Sequence, residues 1–166
     1  ILEEMHRLRD MYNEDVVLTK MIDGIPVCVE KVQSSNVLRI ESKVGRAGNL
    51  LKGSTGKTLF AWQPEKFINS VLDVGFADSP KGTEEKELLR AELQKIREQG
   101  FCVSISEQNE GVASVSVPIR DKSGYAVYSL AVIGEEKRVK QKNMEEIAKV
   151  LMDSARGLEG ARSQTE

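Results

Sequence analysis

The 166-residue sequence is poor in the features that mark membrane proteins, secreted proteins and many enzymes. It has one histidine, one tryptophan and two cysteines, and aromatic residues make up 5% of the chain. No apolar run approaches the roughly 18 residues that a membrane-spanning helix needs. The N-terminus also lacks the charged, apolar and small-residue zones of a secretory signal. We therefore expect a cytoplasmic protein without a membrane partner.

The few side chains that commonly perform catalysis or bind metals are separated from one another in the sequence. His6 falls in an opening helical pattern, far from any hydroxyl or thiol cluster, and a catalytic histidine needs a positioned partner. Cys28 and Cys102 lie in separate apolar runs, where buried reduced thiols are common. Neither thiol is surrounded by residues at metal-ligand spacing. The sequence thus predicts no enzyme, no metal site and no cofactor.

Charge is balanced along the chain, with 24 Lys and Arg against 26 Asp and Glu, which gives a net charge of -2. Because the two signs are interspersed, no basic face indicates nucleic-acid binding by this segment itself.

The two ends of the chain differ from its middle in their predicted structure. Residues 1–12 predict an opening helix or linker that begins inside its own apolar pattern, as in a fragment of a longer protein, and residues 158–166 predict a polar tail.

Six segments with strand patterns flank a helical block. The hairpin signal is Asp23-Gly24, because both residues tolerate the positive φ of a tight turn. Two groups of three strands around helices are typical of an α+β fold with a mainly antiparallel sheet of about six strands. The predicted strands are residues 15–22, 25–32, 37–42, 101–106, 112–120 and 125–133.

The helical signals come from caps and breakers. We predict a helix starting near Thr55, a second restarted by Pro64, and a third capped by Thr83 and ended by Gly100. A long charged helix with an apolar stripe begins near Glu135.

The segment Gly53 to Thr58 reads Gly-Ser-Thr-Gly-Lys-Thr and resembles a phosphate-binding loop, but its spacing excludes a Walker A motif. That motif requires a glycine where this chain has Leu51. A small-residue turn that leads into a helix still offers unpaired N–H donors and positive dipole charge to an anion. Lys57 fits two interpretations equally, a charged anchor at the helix start or an exposed solubilising residue.

Serines recur at alternate positions of the later strands and therefore share a face of the predicted sheet. One interpretation is a solvent-exposed face, with valines and isoleucines turned to the core. The other is a semi-polar pocket, because Cys102, Ala131 and Ile133 have the same strand parity as the serines. The serines concerned are Ser104, Ser106, Ser114, Ser116 and Ser129.

The order of five short motifs resembles the effector-binding domain of IclR-type bacterial transcriptional regulators. These motifs are Gly45-Arg46, the run from Ser54 to Ala61, Gly111, Val117-Pro118-Ile119 and Ile133-Gly134. The resemblance covers essentially residues 1–166 as one domain. It implies a GAF-like fold, a ligand pocket between sheet and helices, and a homodimer or homotetramer. It also implies an upstream winged helix-turn-helix domain, missing here, through which DNA would be bound.

The resemblance also implies a set of ligand contacts, with departures. Relatives commonly have a carboxylate where this chain has Ser104, and His-Ala where it has Leu51-Lys52. Losing that carboxylate and gaining Lys52 should make an anionic effector easier to accept. Gly48 corresponds to a further apolar wall position. The implied effector-binding residues are Ser54, Thr55, Gly56, Ser104, Ser114, Ala131, Ile133, Ile40 and Val112.

We therefore expect a ligand-sensing regulatory domain that binds a small, anionic organic metabolite and alters DNA binding by the missing domain. Two alternatives remain open. One is a small hydrolase or transferase that uses the serine cluster with Lys57 as base. The other is an oligomerisation module without a ligand, whose serine face a partner would cover.

Overall fold

The computed structural model describes residues 1–37 and 42–163 of the chain. Six helices and five strands are present in these ranges. In chain order they are α1 Leu2–Tyr12, β1 Asp15–Ile22, β2 Ile25–Val32, α2 Ser54–Ala61, α3 Glu65–Gly75, α4 Gly82–Gln99, β3 Cys102–Ile105, β4 Val112–Arg120, β5 Ala126–Glu135, α5 Glu136–Gln141 and α6 Met144–Ser163.

The strands form one antiparallel sheet in the order β2-β1-β5-β4-β3. The pairing of β1 with β5 joins the N-terminal hairpin to the C-terminal meander, so the α+β prediction is confirmed. Of the sixth predicted strand, residues 38–41 lie outside the described ranges. The segment Gly45 to Gly48 runs along the outer edge of β2, where the Gly45 N–H donates to the Cys28 carbonyl at 2.7 Å.

Turn chemistry explains the first hairpin. Asp23 and Gly24 have φ values of 49° and 79°, and positive φ at both central residues matches the right-handed twist of the flanking strands. The predicted hairpin is thereby confirmed. The end of α4 also follows its sequence signal, because Gly100 takes φ 88° and donates its N–H to the Ile96 carbonyl at 2.9 Å.

Helices cover both faces of the sheet. On one face α1 and α6 bury Met5, Leu8, Ile147 and Leu151 against inward residues of β1, β4 and β5. On the other face the second apolar cluster is formed mainly by residues of α2, α3 and α4, with Phe60 meeting Phe67 edge to face. As a result β4 is buried from Ala113 to Ile119, which leaves only its two end residues partly or fully exposed.

Three predicted helix boundaries are wrong. Thr83 does not cap α4, which begins at Gly82 after Lys81 and has no side-chain cap. The long helix predicted from Glu135 is two helices, because Asn143 takes φ 60° and its side chain accepts the N–H groups of Glu145 and Glu146 at the start of α6. That helix then continues to Ser163, where the sequence predicted a polar tail from residue 158.

Within the described ranges, no helix has the combination of length and apolar character that crossing a membrane requires.

Gly56 allows α2 to pack directly on the preceding loop. A Cβ at this position would lie 1.7 Å from the Asn49 carbonyl oxygen.

We predict that Gly56→Ala lowers the free energy of unfolding by about 3 kcal/mol or more, because the Asn49 backbone cannot move aside as a flexible side chain could. Urea denaturation checks this. Gly157→Ala is the matched control, since no atom lies within 4 Å of its Cβ position in α6. It should stabilise by about 0.5–1 kcal/mol, and equal effects of the two variants would contradict the packing argument.

Candidate functional site

A cavity of about 790 Å³ lies between the sheet and the N-terminus of α2. Residues of β1, β4 and β5 form its floor, and the loops around residues 42–53 and 107–109 form its walls. Nine of its twenty lining residues carry a hydroxyl or amide side chain, and among the described residues no aromatic side chain lines it. The cavity is therefore suited to a polar ligand.

The start of α2 presents backbone donors to this cavity. The first intrahelical bond runs from the Lys57 N–H to the Gly53 carbonyl at 3.2 Å, so the N–H groups of Ser54, Thr55 and Gly56 precede it and have no acceptor inside the helix. Ser54 and Thr55 line the cavity, whereas Gly56 packs behind them on Asn49. The aligned peptide dipoles add positive charge at this end.

Hydroxyl pairs fix α2 on the sheet. The Ser54 and Ser114 hydroxyls lie 2.6 Å apart, and those of Thr58 and Ser116 lie 2.5 Å apart. Each pair gives both members a partner where water is excluded. Ser104, Ser114, Ser116 and Ser129 are all buried, so the interpretation of a solvent-exposed serine face is wrong.

The other serine assignment also needs correction. Ser106 lies beyond the end of β3, in a turn where its φ is 53°, and it is exposed. It therefore does not share the buried face with the other serines. That face is covered by helices of this chain, and the version of the oligomerisation hypothesis that needs a partner to cover it is not supported.

Lys57 is a buried cation with two carboxylate partners. Its side chain is 2% exposed, and its Nζ contacts Glu92 of α4 and Glu107 Oε1, the latter at 2.8 Å. Burial alone would lower the pKa of Lys57, but the hydrogen bonds to Glu107 and Glu92 outweigh burial and raise it. The interpretation of Lys57 as an exposed residue is thus wrong. Its ammonium group stays charged and is a poor base for a serine nucleophile.

Glu107 is a charged cavity residue that we did not predict from the sequence. Its Oε2 accepts the Gly53 N–H at 3.2 Å while Oε1 pairs with Lys57. Burial would raise the pKa of Glu107, but the bonds from Lys57, Gly53 and Ser104 together lower it. The family resemblance implies the loss of a carboxylate at Ser104, yet Glu107, three residues later, brings one into the same cavity.

Cations outnumber that carboxylate around the cavity. Lys43, Arg46 and Lys52 line it together with Glu107, a formal excess of two positive charges. Arg46 was noticed in the sequence only as part of a family motif, and no local pattern pointed to Lys43. The formal charge of the lining side chains is therefore positive, with the one carboxylate of Glu107 counted against the three cations.

The sequence-predicted residues fall into three groups: Gly56 and Ala131, which do not line the cavity, Ile40, and the residues that do line it. Ala131 is fully buried behind the floor, in contact with the small apolar cluster of Val17, Cys28 and Ile133, and it does not reach the cavity. Ile40 lies outside the described residues. The predicted residues that do line the cavity are Ser54, Thr55, Ser104, Ser114, Ile133, Val112 and Gly48.

Both cysteines are reduced thiols, and both are buried. Burial raises the pKa of Cys28, which lines the cavity, and raises that of Cys102 to about 12. Neither is a ready nucleophile at neutral pH. In the part of the chain that the structure describes, no group of three or more His, Cys, Asp or Glu residues is arranged to hold a metal ion.

Comparison with known proteins gives one consistent result. Residues 2–159 match the family model described as "Bacterial transcriptional regulator IclR C-terminal". The chain is 28% identical to the HTH-type transcriptional regulator KdgR of Escherichia coli over 92% of its own length and 59% of that protein. It is 27% identical to KdgR of Dickeya chrysanthemi, over 93% of this chain and 52% of that one.

The fold is similar to the crystal structure of Thermotoga maritima IclR, with a TM-score of 0.84 and 26% identity. That match covers 93% of this chain and 64% of the other. The chain thus spans between about half and three fifths of the length of these two KdgR proteins.

The buried ion pairs of Lys57 generate a stability prediction. Lys57→Met removes the cation and leaves two partly buried carboxylates without it, so we expect a loss of roughly 1–3 kcal/mol in unfolding free energy. Glu92→Gln leaves Lys57 paired with Glu107 and should cost less than about 1 kcal/mol. Urea denaturation of both variants checks the order. A Lys57→Met protein as stable as the wild type would show that the cluster adds nothing.

The pKa shift of Glu107 generates a pH prediction. Because folding lowers this pKa from its ordinary value of 4.5, ionised Glu107 contributes stability above that value and loses the contribution as pH falls through the lowered one. The difference in melting temperature between wild type and Glu107→Gln should be largest near neutral pH and shrink below about pH 4. Glu110→Gln, which replaces an exposed carboxylate of the same loop, is the control and should change the melting temperature little.

Proposed function

Since the chain belongs to the IclR C-terminal family of bacterial transcriptional regulators, we propose that it acts as one effector-binding domain that takes a small organic anion into the cavity at the start of α2. Binding changes the DNA affinity of an N-terminal domain outside this sequence. The proposal includes a cytoplasmic location, a homodimer or homotetramer, and no enzymatic activity.

One observation carries the proposal, the meeting of two independent sources of positive potential in one cavity. The free N–H groups at Ser54 and Thr55 enter it from α2, and Lys43, Arg46 and Lys52 line it from the preceding loop. A carboxylate that enters can therefore accept backbone hydrogen bonds while its charge is neutralised by side chains. Helix start and loop are adjacent in sequence, so one short segment supplies most of the anion site.

The rest of the cavity suits the body of such a molecule. Ser104 and Ser114 offer hydroxyls, and Val112 and Ile133 offer apolar surface on the strand side. In this proposal Gly56 contributes the close packing that positions the start of α2, and Ala131 supports Ile133 from behind. Ile40, which lies outside the described residues, keeps its proposed place as an apolar wall.

The sheet provides a route from ligand to N-terminus. Val17 and Thr19 of β1 line the cavity, and β1 follows directly on α1, whose Met5 and Leu8 are buried on the opposite face. A ligand that favours one position of β1 therefore favours one position of α1, the element nearest any upstream domain. A differential affinity of about 1–3 kcal/mol is enough for such a switch.

The hydrolase alternative finds little support. It required Lys57 as a base. In the structure this residue is a buried cation, and although burial lowers its pKa, the hydrogen bonds to Glu107 and Glu92 raise it by more. The hydroxyls of Ser54 and Ser114 are hydrogen-bonded to each other, with no base among their described partners.

Thr55 gives the sharpest test of the anion site. Thr55→Asp places a carboxylate among the donors that the proposed anion uses, so binding of small carboxylates should weaken about ten-fold or more. Thr55→Asn, a neutral change of the same shape, should retain binding within about three-fold. Calorimetry with a panel of hydroxy, keto and aromatic acids measures both.

Unfolding is not a ready explanation for such a loss, because an aspartate in the first turn of a helix is stabilising. An acid that binds wild type and Thr55→Asp equally well would show that the site lies elsewhere.

A further inference from the structure

The Glu107 carboxylate stands in a cavity that otherwise favours anions, and the proposed function gives it no role. It belongs to the loop of residues 106–111 between β3 and β4, and it lines the same space as Arg46 and Lys52. Its side chain is 30% exposed, although it pairs with a lysine that is 2% exposed. Because Glu107 lines the cavity and is not fully buried, a molecule in the cavity can contact its side chain.

The position of the carboxylate is fixed from both ends of its loop. The Ser106 N–H donates to the Val112 carbonyl at 2.8 Å, and the Ser106 hydroxyl donates to Glu136 Oε2 at 3.1 Å and accepts the Gly111 N–H at 2.9 Å. On the other side Lys57 and the Gly53 N–H hold the carboxylate itself.

Gly53 suits this approach because its φ is 82°, which other residues rarely adopt, and because a Cβ there would also lie 2.8 Å from the Gln108 side chain. The loop thus lies directly against the start of α2, with Glu107 turned toward the cavity.

A carboxylate held in this way still has acceptor capacity. Each oxygen can accept about two hydrogen bonds. Lys57 and Gly53 take one position on different oxygens and Ser104 takes a third, so about one position remains for a ligand. The lowered pKa of Glu107 keeps it ionised at neutral pH, so it accepts and does not donate. It repels a bare carboxylate that comes close and attracts an O–H donor at the same place.

We propose that Glu107 determines ligand specificity by selecting acids that carry a hydroxyl group near their carboxylate over acids that lack one. The cations and the α2 amides take the ligand carboxylate, and the ligand hydroxyl donates to Glu107. This inference rests on the proposed function and narrows its ligand class from organic anions to hydroxy acids. Donors and acceptor lie within one helix start and its neighbouring loop, so ligand carboxylate and hydroxyl must be close together.

The first experiment needs only the wild-type protein and two pairs of probes. L-malate and succinate differ by one hydroxyl, and D-gluconate and hexanoate share a six-carbon acid chain with and without hydroxyls. We expect calorimetry to give dissociation constants about ten-fold or more lower for the hydroxylated member of at least one pair, as a hydrogen bond to a charged group warrants. Binding without a hydroxyl preference in either pair overturns the inference and leaves the proposed function standing. Absence of binding by all four acids removes both.

The second experiment assigns the preference to Glu107. Glu107→Gln removes the negative charge, so the acids without hydroxyls should bind more tightly and the preference should fall to within about three-fold. Glu92→Gln is the matched control, because it also deprives Lys57 of one carboxylate but Glu92 does not line the cavity. It should keep the wild-type preference. Equal changes in the two variants would show that the effect acts through Lys57 and would overturn the inference, as would an unchanged preference in Glu107→Gln.

A further variant covers the case in which Glu107→Gln does not fold. Glu107→Asp keeps the charge but withdraws it by one methylene group, so the hydroxyl preference should fall while the pairing with Lys57 is weakened only in part. Thermal melting establishes that each variant is folded before calorimetry. A folded Glu107→Asp protein with the full wild-type preference contradicts the assignment.

Discussion

The buried ammonium group of Lys57 is the interaction on which the site depends. It lies at the junction of α2, α4 and the loop after β3, and its carboxylate partners come from the last two of these. A lone charge in this position would be very unfavourable, so the three segments are obliged to stay together. The start of α2, its free N–H groups and the Glu107 carboxylate therefore have one relative arrangement. A cavity that must distinguish small polar molecules needs that kind of fixed geometry.

Helices cover both faces of the sheet, and this burial explains the hydroxyl pairs beside the cavity. An antiparallel sheet with one solvent-exposed face would leave its serines in water, but here α2 packs on β4 and pairs the hydroxyls of Ser114 and Ser116 with its own. Polar pairing of this kind defines one register for α2 on β4, since a shift by one residue would leave hydroxyls buried without partners. The helix therefore points its N-terminus at one place on the sheet. The cavity exists where β1, β4 and β5 continue beyond the end of that helix.

Local signals in the sequence predicted local structure well. The turn at Asp23-Gly24, the bounds of β4 and the stop at Gly100 each depend on a few neighbouring residues, and the structure shows all three. The break at Asn143 was missed because a single asparagine in a charged helical pattern is a weak signal without its cap contacts. The partners of Lys57 could not be predicted, since they lie 35 and 50 residues away and meet it only after the helices pack. The pocket residues that the family resemblance implies, Gly48 among them, include seven of the twenty cavity residues but not Glu107, which lies outside the motifs that carry the resemblance.

The strand edges of the sheet have a consequence for how this protein behaves in concentrated solution. A free edge offers unpaired backbone groups to another chain and promotes aggregation. In the described residues β3 spans four residues, and the edge of β2 is occupied where Cys28 donates to the Arg46 carbonyl at 3.1 Å and Gly48 donates to the Pro26 carbonyl at 2.7 Å. The stretch that carries Arg46 to the cavity is thus also a protective cover for the sheet. Substitutions in this stretch that alter ligand binding must therefore keep it paired with β2, because its displacement would expose the edge of that strand.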